Sequence, residues 1–133
     1  MSEENVRVLQ DAFDAYNRRE YDAATAPFHP EVEWRFPPMA LEFEHLRGKD
    51  AIHEFWRTLD EVFEDFTLAP LELTPTGDDQ ILAHLRFTGQ GRGSGAVTNV
   101  EWHIVYRFRS GLVWRADFFA TREQALEAAG LSE

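Results

Sequence analysis

Residues 97–119 read VTNVEWHIVYRFRSGLVWRADFF, and this stretch decides the fold. From Val97 to Arg109 the side chains alternate, with Trp102, Ile104, Tyr106 and Phe108 on one face. Glu101, His103, Val105 and Arg107 fall on the other. A period of two marks a strand with one face buried. Ser110-Gly111 is a two-residue hairpin signal. The chain then returns as a strand over Leu112 to Phe119, where the same count puts Trp114, Ala116 and Phe118 beside Trp102.

Upstream, Gln80 to Thr88 alternates in the same way, with Ile81, Ala83, Leu85 and Phe87 against Leu82, His84, Arg86 and Thr88. The glycine-rich run 89–95 joins this strand to the next. It leads into a strand, so it lacks the helix N-terminus of a phosphate cradle and reads as a hairpin loop. Phe66 to Thr74 forms an earlier strand, followed by the turn signal Thr76-Gly77-Asp78-Asp79. These four strands make a meander. One further strand, Glu31 to Phe36, turns Val32, Trp34 and Phe36 to one side and stops at Pro37-Pro38.

Helices precede and interrupt the strands. Val6, Leu9, Phe13 and Tyr16 recur at helical spacing behind Ser2, a capping residue, and the acidic Glu3 and Glu4. Tyr21 to Phe28 reads as a short helix broken at Pro27. Gly48 to Glu64 carries the stripe Ile52, Phe55, Trp56, Leu59, Val62 and Phe63. Thr121 caps a closing helix that Gly130 ends, with Gln124 completing a capping-box pattern. Met39 to Arg47 has no period and reads as a loop or lid. Helices grouped before a run of strands predict an α+β fold rather than a doubly wound sheet.

Composition narrows the function. A length of 133 residues suits one domain over residues 1–133, able to build a core without staples. With 11 Phe and 4 Trp, large rings must fill the interior or line a hollow. The absence of cysteine excludes disulfides, thiolate nucleophiles and zinc ribbons. A formal charge of −11 with no basic patch argues against nucleic acid and anionic membrane as partners. The acidic start, Met1-Ser2-Glu3-Glu4-Asn5, is neither a secretory signal nor a transit peptide, and no apolar run reaches membrane-spanning length. The expected compartment is the cytoplasm. His29, His45, His53, His84 and His103 form no HxH or HExxH spacing, so no metal site is expected.

Several pieces carry a resemblance: residues 13–19 (FDAYNRR), 28–34 (FHPEVEW), 47–52 (RGKDAI), 91–95 (GRGSG), 107–111 (RFRSG) and 125–131 (ALEAAGL). In this order, over nearly the whole chain, they make it similar to the SnoaL-like family of the nuclear-transport-factor-two-like superfamily. The resemblance implies a cone-shaped domain, a curved, mainly antiparallel sheet packed against N-terminal helices and enclosing a pocket. It also implies a homodimer through the convex sheet face. The family hosts polyketide cyclases, isomerases and non-enzymatic binders alike, so the fold by itself assigns no chemistry.

On that frame the rings turn inward. The ligand-binding residues it implies are Tyr16, Trp34, Phe36, Trp56, Leu85, Trp102, Ile104, Tyr106, Trp114 and Phe118. His84, Arg86, Glu101, His103, Val105, Arg107, Arg115 and Asp117 turn outward. The tyrosine, base and buried acid of ketosteroid isomerases fall near Ala12, Phe36 and Ile104, all apolar, so that mechanism is not expected. Many family members carry an Asp where this chain has Thr121. The expected role is a small-molecule-binding domain, free of cofactor, for an apolar or aromatic ligand. The alternative is a cofactor-free cyclase- or isomerase-type enzyme that moves protons with His45 in the lid, Tyr16 or Asp117. A third reading is an interaction domain with a filled core.

Overall fold

The computed structural model describes residues 2–37 and 45–131. Helix α1 (Ser2–Asn17) leads into the short α2 (Tyr21–Thr25), and strand β1 (Phe28–Arg35) follows. After β2 (His45–Arg47) comes α3 (Lys49–Val62). The meander β3 (Phe63–Gly77), β4 (Gln80–Gly91), β5 (Val97–Arg109) and β6 (Leu112–Phe119) then leads to α4 (Arg122–Ala128). The six strands form one sheet in the order β2-β1-β6-β5-β4-β3. All pairs are antiparallel except β1 with β6. The expected cap at Ser2 and the lid residues 39–44 lie outside the described residues or side chains.

Local chemistry sets the element ends. Arg19 takes a left-handed φ of 64° just past α1, where its N–H bonds Tyr16 O and that of Glu20 bonds Ala15 O. Asn17 then ties α1 to β3: its Oδ1 accepts from Leu68 N at 2.9 Å and its Nδ2 donates to Leu68 O at 2.8 Å. Gly48 begins α3 at φ 87°, a conformation a β-carbon resists. Ser110 and Gly111, at φ 53° and 80°, make the expected tight hairpin. Thr121 caps α4, its hydroxyl accepting from Gln124 N at 3.2 Å.

Two apolar clusters result. The larger lies between the concave sheet face and α1 to α3, and includes Leu9, Val32, Ile52, Ile81, Leu85 and Ile104, none of them exposed. The smaller lies on the convex face, where Ala125 of α4 covers Leu82 and Val105. Among the described residues no helix is long and apolar enough to cross a membrane.

Candidate functional site

Between α1, α3 and the concave sheet lies a cavity of about 470 Å³. α1 contributes Leu9, Ala12, Phe13 and Tyr16, and α3 contributes Phe55, Trp56 and Leu59. The sheet supplies Trp34, Leu85, Phe87, Trp102, Tyr106 and Phe118, with Phe36 just beyond β1. Val62 and Val100, 49 % and 39 % exposed, stand at the rim. The rings stack into one another, with centroids 4.3 Å apart for Phe36 and Phe118 and 5.4 Å for Trp34 and Phe118. Among the described residues, none that line the cavity is Asp, Glu, His, Lys or Arg.

Eight of the ten sequence-expected ligand residues are on this wall, six from the sheet side and Tyr16 and Trp56 from helices; Ile104 and Trp114 are not among its lining residues. Ile104 shares the inner face, but its shorter side chain is sealed in the core between the longer rings of Trp102 and Tyr106. Trp114 is a correction. Arg107 pairs with Arg115 and Phe108 with Val113, so Trp114 is the extra residue of a β-bulge. The bulge gives the inward position to the fully buried Val113. Trp114 stacks instead with Arg109, whose guanidinium carbon sits 4.1 Å from the ring centroid.

Two of the three proton-handling candidates lie away from the cavity, Asp117 on the outward face that its strand parity gives it. His45 belongs to edge strand β2, exposed, with Nε2 2.9 Å from Glu33 Oε1, and is not among the residues that line this cavity. Three residues are too few to show a strand period, which is why the sequence reads as a loop there. Asp117 is on the convex face, 6 % exposed, bound to Arg115 Nε at 2.9 Å and Arg107 Nε at 3.5 Å. Tyr16 does line the cavity, packed on Trp56 with Arg19 over its ring. Burial pushes its hydroxyl well above the ordinary range, and burial does the same to Tyr106. At neutral pH both are donors, not bases.

Sequence reasoning assigned no inner face to β3, and so missed Phe66 and Leu68 on the wall. The apolar–polar–apolar run Phe66-Thr67-Leu68 is the signal that could have found them. A second, polar hollow beside the first is bounded by Asn17, Arg19, Asp60, Asp65, Thr67 and Arg92. Its arginines are already engaged: Arg19 pairs with Asp60 at 3.1 Å, and Arg92 Nε donates to Asp60 O at 2.8 Å. Tyr21 also donates to Asp60; burial, then that bond, push the Tyr21 hydroxyl up to about 12.

On the convex face His84 and His103 stack with centroids 4.3 Å apart. Glu101 accepts from His84 at 2.6 Å and from Arg86 at 3.3 Å. Among the described residues no group of three or more His, Cys, Asp or Glu could hold a metal ion.

A fold of this order around a ring-lined hollow defines a class, and comparison with known proteins names it. The chain belongs to the SnoaL-like domain family, whose model matches residues 9–116. No curated protein matches the sequence. Among solved structures, it is similar to Bal32a from a soil-derived mobile gene cassette, at 19% identity, TM-score 0.81 and 96% coverage of both chains. It is also similar to a Mycobacterium tuberculosis protein in complex with estradiol-17beta-hemisuccinate, at 17% identity and TM-score 0.76, covering 90% of this chain and 95% of that one. A third is TerC co-crystallised with polyporic acid, at 18% identity and TM-score 0.76, covering 96% and 98%. At these identities the likeness shows the fold.

Proposed function

We propose that this protein is a small-molecule-binding domain whose cavity takes a neutral apolar or aromatic ligand without a cofactor. The observation that carries the reading is the wall itself, built mainly of rings and aliphatic side chains with two threonines, Thr58 and Thr98, and, among the described residues, with no ionisable group but high-pKa tyrosines. Its volume lies within the roughly 300–1,000 Å³ of small-molecule pockets. Structural neighbours in complex with estradiol-17beta-hemisuccinate and polyporic acid support it by analogy. The cyclase or isomerase alternative is not favoured. Acid–base catalysis needs a group that titrates near working pH within reach of the ligand, and no lining residue among those described offers one.

A neutral, environment-sensitive dye such as N-phenyl-1-naphthylamine tests this. Saturable one-site binding is expected, flat from pH 5 to pH 8 because none of the described wall residues titrates there. Phe87→Asp, a half-buried lining position, is expected to weaken it at least about tenfold by setting a carboxylate in the hollow. A dye that does not saturate, or that binds Phe87→Asp as well as wild type, would sink the reading.

The convex face favours a second part of the proposal, a homodimer through that surface. Arg86 Nε and His103 Nδ1 lie on that face buried without hydrogen-bond partners, so its polar groups are not fully met within one subunit. Burial, then His84 and Arg122, depress the His103 pKa below its ordinary 6.5, while Glu101 and Glu72 act the other way. A base with a depressed pKa resists protonation in the folded state. Its contribution is therefore complete above pH 6.5 and is lost as pH falls through the window below it. Sealing His103 further in a dimer would depress its pKa more, so sedimentation is expected to show association weakening from pH 7.5 to pH 5.5, and His103→Gln is expected to flatten that slope. A monomer at all pH values, or an unchanged slope in His103→Gln, would rule this out.

A further inference from the structure

Two polar atoms of the cavity wall have no partner. The indole Nε1 of Trp34 and the hydroxyl of Tyr16 are both buried without a hydrogen bond. Their residues are only 6 % and 3 % exposed. They come from opposite walls, β1 and α1, and both rings pack on Trp56, at centroid distances of 5.8 Å and 4.9 Å. Neighbouring polar groups are satisfied: Tyr21 donates to Asp60, and Thr25 Oγ1 donates to Tyr21 O at 3.1 Å. Both unmade bonds thus belong to rings that pack on Trp56, and an acceptor in the hollow reaches either atom after a small shift of those rings.

Buried donors left unpaired are rare because their desolvation goes uncompensated. The indole N–H can only donate. Burial keeps the Tyr16 hydroxyl protonated, so it donates as well. A pure hydrocarbon in the cavity would leave both unmet. An anionic oxygen would meet them but would find no cation among the lining residues to offset its own desolvation.

We propose that the cavity selects a neutral, ring-containing ligand that carries an acceptor oxygen, a ketone, quinone or ether, held by Trp34 Nε1 and Tyr16 Oη at the Trp56 end. This rests on the cavity being a ligand site, and the test separates the two ideas. Fluorene and 9-fluorenone share a ring framework and differ by one carbonyl oxygen. Their affinities are compared by displacement of bound N-phenyl-1-naphthylamine in wild type, Tyr16→Phe and Trp34→Phe. The ratio of fluorenone to fluorene affinity is expected to fall about fivefold to tenfold in at least one variant, the size of one lost hydrogen bond. Looser packing would lower both affinities and leave the ratio alone. A ratio unchanged in both variants overturns the proposal and leaves the apolar cavity standing. Failure of wild type to bind either ring system overturns both.

Discussion

Trp56→Ala is expected to lower unfolding stability by about 3–5 kcal/mol, the range for removing a large aromatic ring from a core. Trp56 is 6 % exposed at the centre of α3. Four rings converge on it: Tyr16 at 4.9 Å, Tyr21 at 5.2 Å, Trp34 at 5.8 Å and His53 at 5.9 Å. These rings come from α1, α2, β1 and α3, so the indole joins the helical layer to the sheet. Aromatic pairs contribute beyond their buried area, so losing four contacts at once adds to the transfer cost. The space left would open into the existing cavity, where collapse is hardest. Against a domain stability of about 5–15 kcal/mol, this removes a large share. The melting temperature should fall by roughly 10–20 °C. Urea unfolding of both proteins checks it, with Trp56→Phe expected to lose less than half as much. A loss below about 1 kcal/mol would mean that the ring is not the keystone described.

The sequence was legible wherever alternation ran long enough to count. The inner rings of β4, the long β5 and Phe118 fall where a period of two puts them, and the α1 and α3 stripes face the hollow. It failed where geometry departs from counting without a compositional mark. The bulge at Trp114 carries no glycine or proline, so parity carried back from Phe118 put the ring on the wrong side. His45-Leu46-Arg47 owes its strand to pairing with Glu33 to Arg35, a long-range contact that no local pattern encodes. The same holds for β1 lying parallel to β6. β3 is an edge strand whose register shifts three times, between Glu64 and Thr67 and again at Pro70 and Pro75, which hid its inner face. Cavity volume comes from how far rings on separate elements stand apart, so the sequence could name the rings but not the space between them.

Asp117→Ala is expected to cost about 2–3 kcal/mol of stability while leaving ligand affinity unchanged. The carboxylate is nearly buried on the outer face and lies beside two arginines that pair directly across β5 and β6, Arg107 and Arg115. Without it those two positive charges would stand side by side on adjacent strands with no counter-ion, a destabilising arrangement. Removing one partner of a fully buried pair costs about 3–5 kcal/mol. Here the arginine side chains are 26% and 29% exposed, so water screens part of the repulsion and the lower figure applies. Arg107 also donates to Gln80 Oε1 at 2.7 Å and to Ala128 O at 3.0 Å, and Gln80 Nε2 donates to Ala129 O at 3.0 Å. This network holds the end of α4 against the sheet, so α4 should loosen first and expose Leu82 and Val105, detectable as faster amide exchange there. Asp117→Asn, which keeps an acceptor oxygen, should lose less. The same variant decides the carboxylate's role: a proton donor to the ligand would change binding or turnover with little change in stability, whereas a strut does the reverse. A stability loss under about 0.5 kcal/mol, or an altered dye affinity in the folded variant, would contradict the strut.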